Sequence, residues 1–165
     1  MEQFSILDTK FGKFGILATS TKLKRVILPN RLNSLRLTIT SSNNRSPFVN
    51  KIIDQLNHYF LGDLINFDIE YELEISSFYK KVLNEVYKIP YGETVSYKHI
   101  ANKIDNSKAY RAVANANAAN PIPVVIPCHR IILSNGKVIA QGTPSQLMNN
   151  VTARSQYFGD TFKFN

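Results

Sequence analysis

The chain has a single cysteine, Cys128, in 165 residues. An internal disulfide and a multi-cysteine zinc site are therefore excluded. Histidine is scarce too. His58, His99 and His129 are scattered, which gives no histidine-rich metal site. No metal or other cofactor is expected. No run of about 18 apolar residues occurs, so no transmembrane helix is expected. The first residues lack the basic and apolar stretches of a secretory signal. A cytoplasmic location is the default expectation, nucleoid-associated in a prokaryote or nuclear in a eukaryote.

Acidic residues are scarce in one half only. Residues 1–75 carry nine Lys/Arg and eight Asp/Glu, a balance of +1. Residues 76–165 carry eleven Lys/Arg and four Asp/Glu, a balance of +7. A basic half joined to a neutral half suggests that the second half meets a polyanion. A merely solvated basic surface would give the same count.

The pattern predicts an α+β protein with two domains, 1–75 and 76–165. Short β-branched or aromatic runs at 4–7, 14–18, 24–28 and 35–40 read as strands. The run 47–60 has apolar residues at helical spacing, with Ser46 as N-cap and Gly62 as stop. Residues 67–73 alternate apolar and acidic side chains, which predicts a strand with one wet face. The second half opens with a helix over 78–87. A turn at Ile89-Pro90-Tyr91-Gly92-Glu93 follows, then a helix from Ser96 or Tyr97 to about Lys103. A third helix runs from about Lys108 to Ala119. Three short helices with tight turns suggest a helix-turn-helix. Residues 121–126 read as extended. Residues 129–133 and 137–140 read as a hairpin around Ser134-Asn135-Gly136, which makes the half winged-helix-like. A final helix is expected over about 145–158.

The third helix is rich in small residues: Arg111, Ala112, Val113, Ala114, Asn115, Ala116, Asn117, Ala118 and Ala119. A sequence-specific regulator needs long donors on such a helix. Only Asn115 and Asn117 could read bases here. Small side chains allow close approach to a DNA surface with little sequence discrimination. An alanine-rich helix packed in a core would have the same composition.

Cys128 sits in the run Asn120-Pro121-Ile122-Pro123-Val124-Val125-Ile126-Pro127-Cys128-His129-Arg130. A free thiol has a pKa of roughly 8.5 and is mostly protonated at neutral pH. A nucleophilic cysteine needs a base and a positive environment, which His129 and Arg130 could supply. On a regular strand the two side chains would face opposite ways. Pro127 disturbs the ladder, so an irregular backbone, or a bridging water, could bring them to one site. The bland alternative is a small buried hydrophobe, the usual fate of a free cysteine.

The run Pro127-Cys128-His129-Arg130 after Asn120-Pro121 resembles the active-site signature of the O6-alkylguanine-DNA alkyltransferases, the methylated-DNA–protein-cysteine methyltransferases. The resemblance covers about residues 78 to 138, including Ile89 to Tyr97 and Arg111-Ala112-Val113. Tyr97 lies 14 residues before Arg111 and 31 before Cys128, the spacing that family uses. The first half is similar only in strand-rich pattern and length. The resemblance implies an RNase H-like N-terminal domain before the winged-helix-like one.

It also implies direct, single-turnover repair. Cys128 takes the alkyl group from guanine O6 and is not regenerated. His129 acts as base, through water. Tyr97 donates to the ring nitrogen of the leaving guanine. Asn120 braces the turn. The main-chain carbonyls of Cys128 and Ile131 accept from the guanine amino group, and Pro123 forms part of the pocket wall. The target base must be flipped out of the duplex, and Arg111 fills its place from the minor groove. Ser96, Ala112, Ala114, Asn115, Arg130, Gln141, Gly142 and Thr143 complete the expected substrate and DNA contacts. The partner is double-stranded DNA containing O6-alkylguanine, bound without strong sequence preference by a monomer and away from membranes.

The chain departs from the family pattern after the hairpin. The loop there is Ala140-Gln141-Gly142-Thr143-Pro144-Ser145. Ser155 or Tyr157 stands where the family places a glutamate that bonds the histidine, and no carboxylate occurs between Asp105 and Asp160. A lesion-binding module with little transfer, a winged-helix regulator and a cysteine hydrolase remain as alternatives.

Overall fold

The computed structural model describes residues 2–32 and 44–132. The expected strand at 35–40, the hairpin beyond Ile132, the loop with Gln141, Gly142 and Thr143, and the final helix lie outside the described residues. The chain divides into two compact units, the first reaching Glu72 and the second starting at Leu73.

In the first unit, β1 (Gln3–Thr9), β2 (Gly12–Ala18) and β3 (Leu23–Ile27) form an antiparallel sheet in that order. Thr9 is opposite Gly12 across the first turn. Thr9 Oγ1 accepts from the Phe11 N–H at 3.0 Å and donates to the Gly12 carbonyl at 2.8 Å. Gly12 has φ +106°, a backbone region that side chains disfavour. A one-turn helix, α1 (Pro29–Leu32), follows β3.

The helix α2 (Pro47–Leu61) has the ends expected from its sequence. Ser46 accepts from the Val49 N–H, Pro47 begins the first turn, and Gly62 closes the helix at φ +91°. Its buried residues, Val49, Ile52, Leu56 and Tyr59, recur at helical spacing. Phe60 adds ring contacts to Phe11 and Phe14, with centroids 5.5 and 5.1 Å away.

Residues 67–73 are not a full strand. Ile69 and Leu73 point inward and Asp68, Glu70 and Glu72 outward, as the alternation predicts. The pairing, however, is a single parallel bridge between Leu23 and Tyr71. The reason is local. Gln55 on α2 takes both main-chain groups of Asp68, accepting from its N–H at 2.8 Å and donating to its carbonyl at 3.2 Å. A side chain thus replaces the strand neighbour.

The second unit packs three helices: α3 (Ser77–Tyr87), α4 (Tyr97–Lys103) and α5 (Tyr110–Ala118). Ser76 caps α3 and Ser96 caps α4, each accepting from the N–H three residues on. Asp105, at φ +58°, breaks the chain out of α4. Val82, Leu83, Val86, Ile100, Val113, Ala116, Ile122 and Ile126 are almost wholly buried. α5 packs against both α3 and α4. It starts at Tyr110, two residues later than the sequence suggests, because Asn106 to Ala109 form a turn closed by the Ala109 N–H on the Asn106 carbonyl. A short parallel pair, β4 (Val95–Ser96) with β5 (Ile131–Ile132), completes the unit. Among the described residues, no helix is long and apolar enough to cross a membrane.

Candidate active site

Two prolines decide the shape of the segment after α5. Pro121 and Pro123 have no N–H to give to a sheet. Residues 121–126 accordingly form a tight turn rather than the extended run the sequence suggests. The Ile126 N–H closes it on the Ile122 carbonyl at 3.0 Å. Asn120 clamps it from both sides: its Nδ2 donates to the Ile126 carbonyl at 2.9 Å, and its Oδ1 accepts from the Ile122 N–H at 3.1 Å. Within the turn Val124 has φ +76°. A β-branched residue there carries strain on the order of 1–3 kcal/mol, held only because the surroundings over-determine it.

The next residues change direction at Pro127, whose φ −80° and ψ 62° are those of an inverse γ-turn. The Cys128 N–H closes that turn on the Ile126 carbonyl at 2.8 Å. Cys128 to Arg130 then form one 3-10 turn, with the Arg130 N–H on the Pro127 carbonyl at 2.9 Å. His129 and Arg130 were expected to begin the hairpin strand. The turn displaces them, and among the described residues the strand begins at Ile131. Successive side chains in a 3-10 turn are about 120° apart, so Cys128 and His129 are not on opposite faces.

The β4–β5 pair sets Val95 beside Ile131 and Ser96 beside Ile132. It brings the start of α4, with half-buried Tyr97, next to the cysteine turn. The Ser96 hydroxyl accepts from the His99 N–H at 3.1 Å, so its first role is to cap α4. From α5, Asn117 donates Nδ2 to the Cys128 carbonyl at 3.2 Å. The Ile131 N–H reaches the same carbonyl. Both lone pairs of that oxygen are engaged, so a guanine amino group would have to displace one donor.

Asn117 is the residue that sequence reasoning placed on the wrong face. It is 8% exposed and cannot read bases. The signal was present: Val113, Ala116 and Asn117 form the i, i+3, i+4 stripe of α5. Asn115 is exposed and Ala112 and Ala114 are half-buried, as a helix facing outward on that side requires. Arg111 is exposed, with its guanidinium 5.8 Å from the Tyr110 ring centroid. It lies about 9 Å along the helix from Asn117. Beside it, Lys98, Ser107, Lys108 and Tyr110 line an open cleft of about 320 Å³. Arg130 is turned inward: its Nη1 donates to the Ile89 carbonyl at 2.7 Å.

Cys128 as a residue is partly exposed. The protein around it still withholds hydration, and this burial pushes the thiol pKa up. A hydrogen bond from the Asn120 side chain and the main-chain N–H groups of Cys128 and His129 act the other way without prevailing. Burial and the neighbouring Arg130 charge push His129 down to about 4. The resting pair is therefore a thiol and a neutral imidazole. A neutral imidazole can accept the proton that a nucleophilic thiol must lose.

Asn120→Ala should show how much the clamp contributes. It removes two hydrogen bonds from a strained turn, so a loss of about 2–3 kcal/mol is expected in denaturant unfolding. Thiol alkylation by iodoacetamide should also slow, because the bond that lowers the Cys128 pKa is gone. Unchanged stability and unchanged alkylation would show that the turn holds itself.

These features define a class: a small helical unit that presents its sole cysteine, partly exposed, on a turn locked by main-chain bonds, with an imidazole on the next residue. Residues 77–153 match the DNA-binding domain of 6-O-methylguanine DNA methyltransferase. A methylated-DNA–protein-cysteine methyltransferase of Mycobacterium bovis is 47% identical over 90 residues, which cover 54% of this chain and 54% of that protein. One from Methanosarcina barkeri is 36% identical over 135 residues, covering 82% and 85%. A crystal structure of Mycobacterium tuberculosis OGT in complex with DNA superposes with a TM-score of 0.70 at 31% identity, covering 93% of this chain and 92% of that one. The chain belongs to the methylated-DNA–protein-cysteine methyltransferase family. The match spans about half the length of the mycobacterial relative and most of the Methanosarcina one.

Proposed function

We propose that this protein repairs DNA by moving the alkyl group of an O6-alkylguanine onto Cys128, once per molecule. The observation that carries the proposal is the partly exposed Cys128 on a locked turn beside His129, within a unit of the alkyltransferase family. The Mycobacterium tuberculosis relative in complex with DNA supports DNA as the partner. The +7 half, exposed Arg111 and the lysine-lined cleft support the same partner through phosphate attraction.

In the proposed reaction a bond forms between Cys128 Sγ and the alkyl carbon as the bond from that carbon to O6 breaks. The electron pair stays on guanine. His129 takes the thiol proton through water. Tyr97 donates its hydroxyl proton to the guanine ring nitrogen, so guanine leaves neutral, and the thiol proton taken up by His129 returns to Tyr97 through solvent. Asn120 holds the turn and the thiol, and Pro123 lines the pocket. Arg111 fills the gap left by the flipped base from the minor groove. Ser96, Ala112, Ala114, Asn115 and Ile131 border the DNA and the base; Gln141, Gly142 and Thr143, expected from the sequence to share that role, lie outside the described residues. The small side chains of α5 fit binding without strong sequence preference. In this reading the first 75 residues form the RNase H-like domain, residues 76–165 form the winged-helix-like domain, and a monomer acts.

The raised thiol pKa favours a second reading, a lesion binder with little transfer. One experiment separates the two. The protein is incubated with duplex DNA containing O6-methylguanine and its intact mass is measured. Exchange of one hydrogen for one methyl per chain, on Cys128, is expected. Unchanged mass at full lesion excess, with the lesion still bound, selects the second reading.

A further inference from the structure

We propose that Arg130 is a positioning residue for alkyl transfer, clamping the Cys128–Arg130 turn to the corner after α3, and not a phosphate contact. The inference rests on the transfer reading given above and assigns Arg130 a role within it. The basic side chain beside a DNA-facing cysteine invites the opposite assignment, yet its geometry points into its own unit.

Three contacts carry the argument. Nη1 donates to the Ile89 carbonyl at 2.7 Å, across 41 residues of chain. The guanidinium carbon lies 5.4 Å from the Tyr91 ring centroid, within cation–π range. The Arg130 main-chain N–H closes the cysteine turn on the Pro127 carbonyl. Backbone and side chain of one residue thus join the turn to the end of α3. Ile89 is itself fixed there, 5% exposed and with its N–H on the Val86 carbonyl.

The chemistry favours this seat. The Ile89 carbonyl lies just past the C-cap Lys88 of α3 and is free of the helix's own hydrogen-bond ladder. The cysteine turn is three residues long, and the Arg130 side chain tethers it to a carbonyl 41 residues earlier. A flat, always-charged guanidinium can bond a carbonyl and lie on a ring together, which a lysine cannot reproduce. The same charge sits beside His129 and opposes its protonation, so what Arg130 gives to transfer is position and not basicity.

The test compares wild type with Arg130→Gln, Arg130→Lys and Tyr91→Ala. Three quantities are read: the salt dependence of binding to undamaged duplex, the single-turnover transfer rate at saturating O6-methylguanine duplex, and the rate of Cys128 alkylation by iodoacetamide. Arg130→Gln should slow transfer and alkylation about 10-fold or more, since small misplacement of a nucleophile is costly. Affinity for undamaged duplex should stay within about twofold and its salt slope should not change. Arg130→Lys should recover part of both rates, and Tyr91→Ala should fall between.

A phosphate contact gives the reverse pattern: weaker binding, a salt slope smaller by about one, and unchanged rates at saturation. That pattern overturns the proposal. Should Arg130→Gln fail to fold, Tyr91→Ala decides, because Tyr91 is 43% exposed; unchanged alkylation there overturns the clamp. Should wild type transfer nothing, the repair reading fails, and the iodoacetamide rates still decide the role of Arg130.

Discussion

Cys128→Ala is expected to abolish alkyl transfer completely while leaving affinity for duplex DNA within about threefold. The chain has no second thiol to take over. The turn should survive the change, because its main-chain bonds do not involve the sulfur; only the hydrogen bonds that the sulfur receives from Asn120 and the Cys128 and His129 N–H groups are lost. The Cys128 N–H bonds the Ile126 carbonyl, and its own carbonyl accepts from Asn117 and from the Ile131 N–H. Arg130 closes the turn on Pro127. All of these remain with alanine. Stability should therefore change by about 1 kcal/mol or less. The measurement pairs intact mass after incubation with lesion-containing duplex and a binding isotherm on the same duplex. Residual methylation of the variant would place the acceptor elsewhere. A large loss of affinity would mean that the thiol is needed for binding, and the separation of the two roles would fail.

The parts of the fold that were legible share a property: their main-chain bonds are local. α2 could be read because Ser46, Pro47 and Gly62 are end signals and its buried stripe has helical period. α3 and α4 were readable from serine caps in the same way. Misreadings arose where a side chain took over the backbone. Gln55 satisfies Asp68, 13 residues on, in place of a longer ladder. Asn120 satisfies Ile126 and Ile122, six and two residues on, and turns an apolar run back on itself. Neither partnership can be inferred from periodicity, because apolar spacing says nothing of which side chain bonds the backbone.

The candidate site was legible as composition and opaque as geometry. The motif around Cys128 named the nucleophile and its imidazole neighbour. It did not show that both sit in a 3-10 turn, which depends on Pro127 adopting a γ-turn. Nor did it show that Arg130 faces Ile89, a contact 41 residues away in sequence. Asn117 shows a different limit: the sequence leaves open whether α5 offers its polar residues to DNA or packs them inward, and a buried amide that bonds a main-chain carbonyl looks in sequence like a surface reader.

His129→Gln is the second substitution with a large expected effect. Loss of a proton acceptor beside a nucleophile costs on the order of 100-fold or more, so the single-turnover rate at pH 7 should fall by at least that factor. The acid stability gives an independent readout. Burial and Arg130 hold His129 near 4 in the folded chain, against roughly 6.5 when unfolded. The sign follows from which state binds the proton. Above pH 6.5 neither state is protonated at this residue. As the pH falls from 6.5 towards 4 only the unfolded chain gains the proton, so stability is lost across that window. The full shift corresponds to at most about 3 kcal/mol. Glutamine does not titrate, so the variant should have a flatter stability profile between pH 6.5 and 4, measured by denaturant unfolding at several pH values. A variant with the wild-type transfer rate and the flatter profile would make His129 a buried structural residue. Parallel profiles with a reduced rate would place His129 in the reaction but in contact with solvent. Only the combination of slow transfer and flattened acid response matches a neutral, desolvated imidazole that receives the thiol proton.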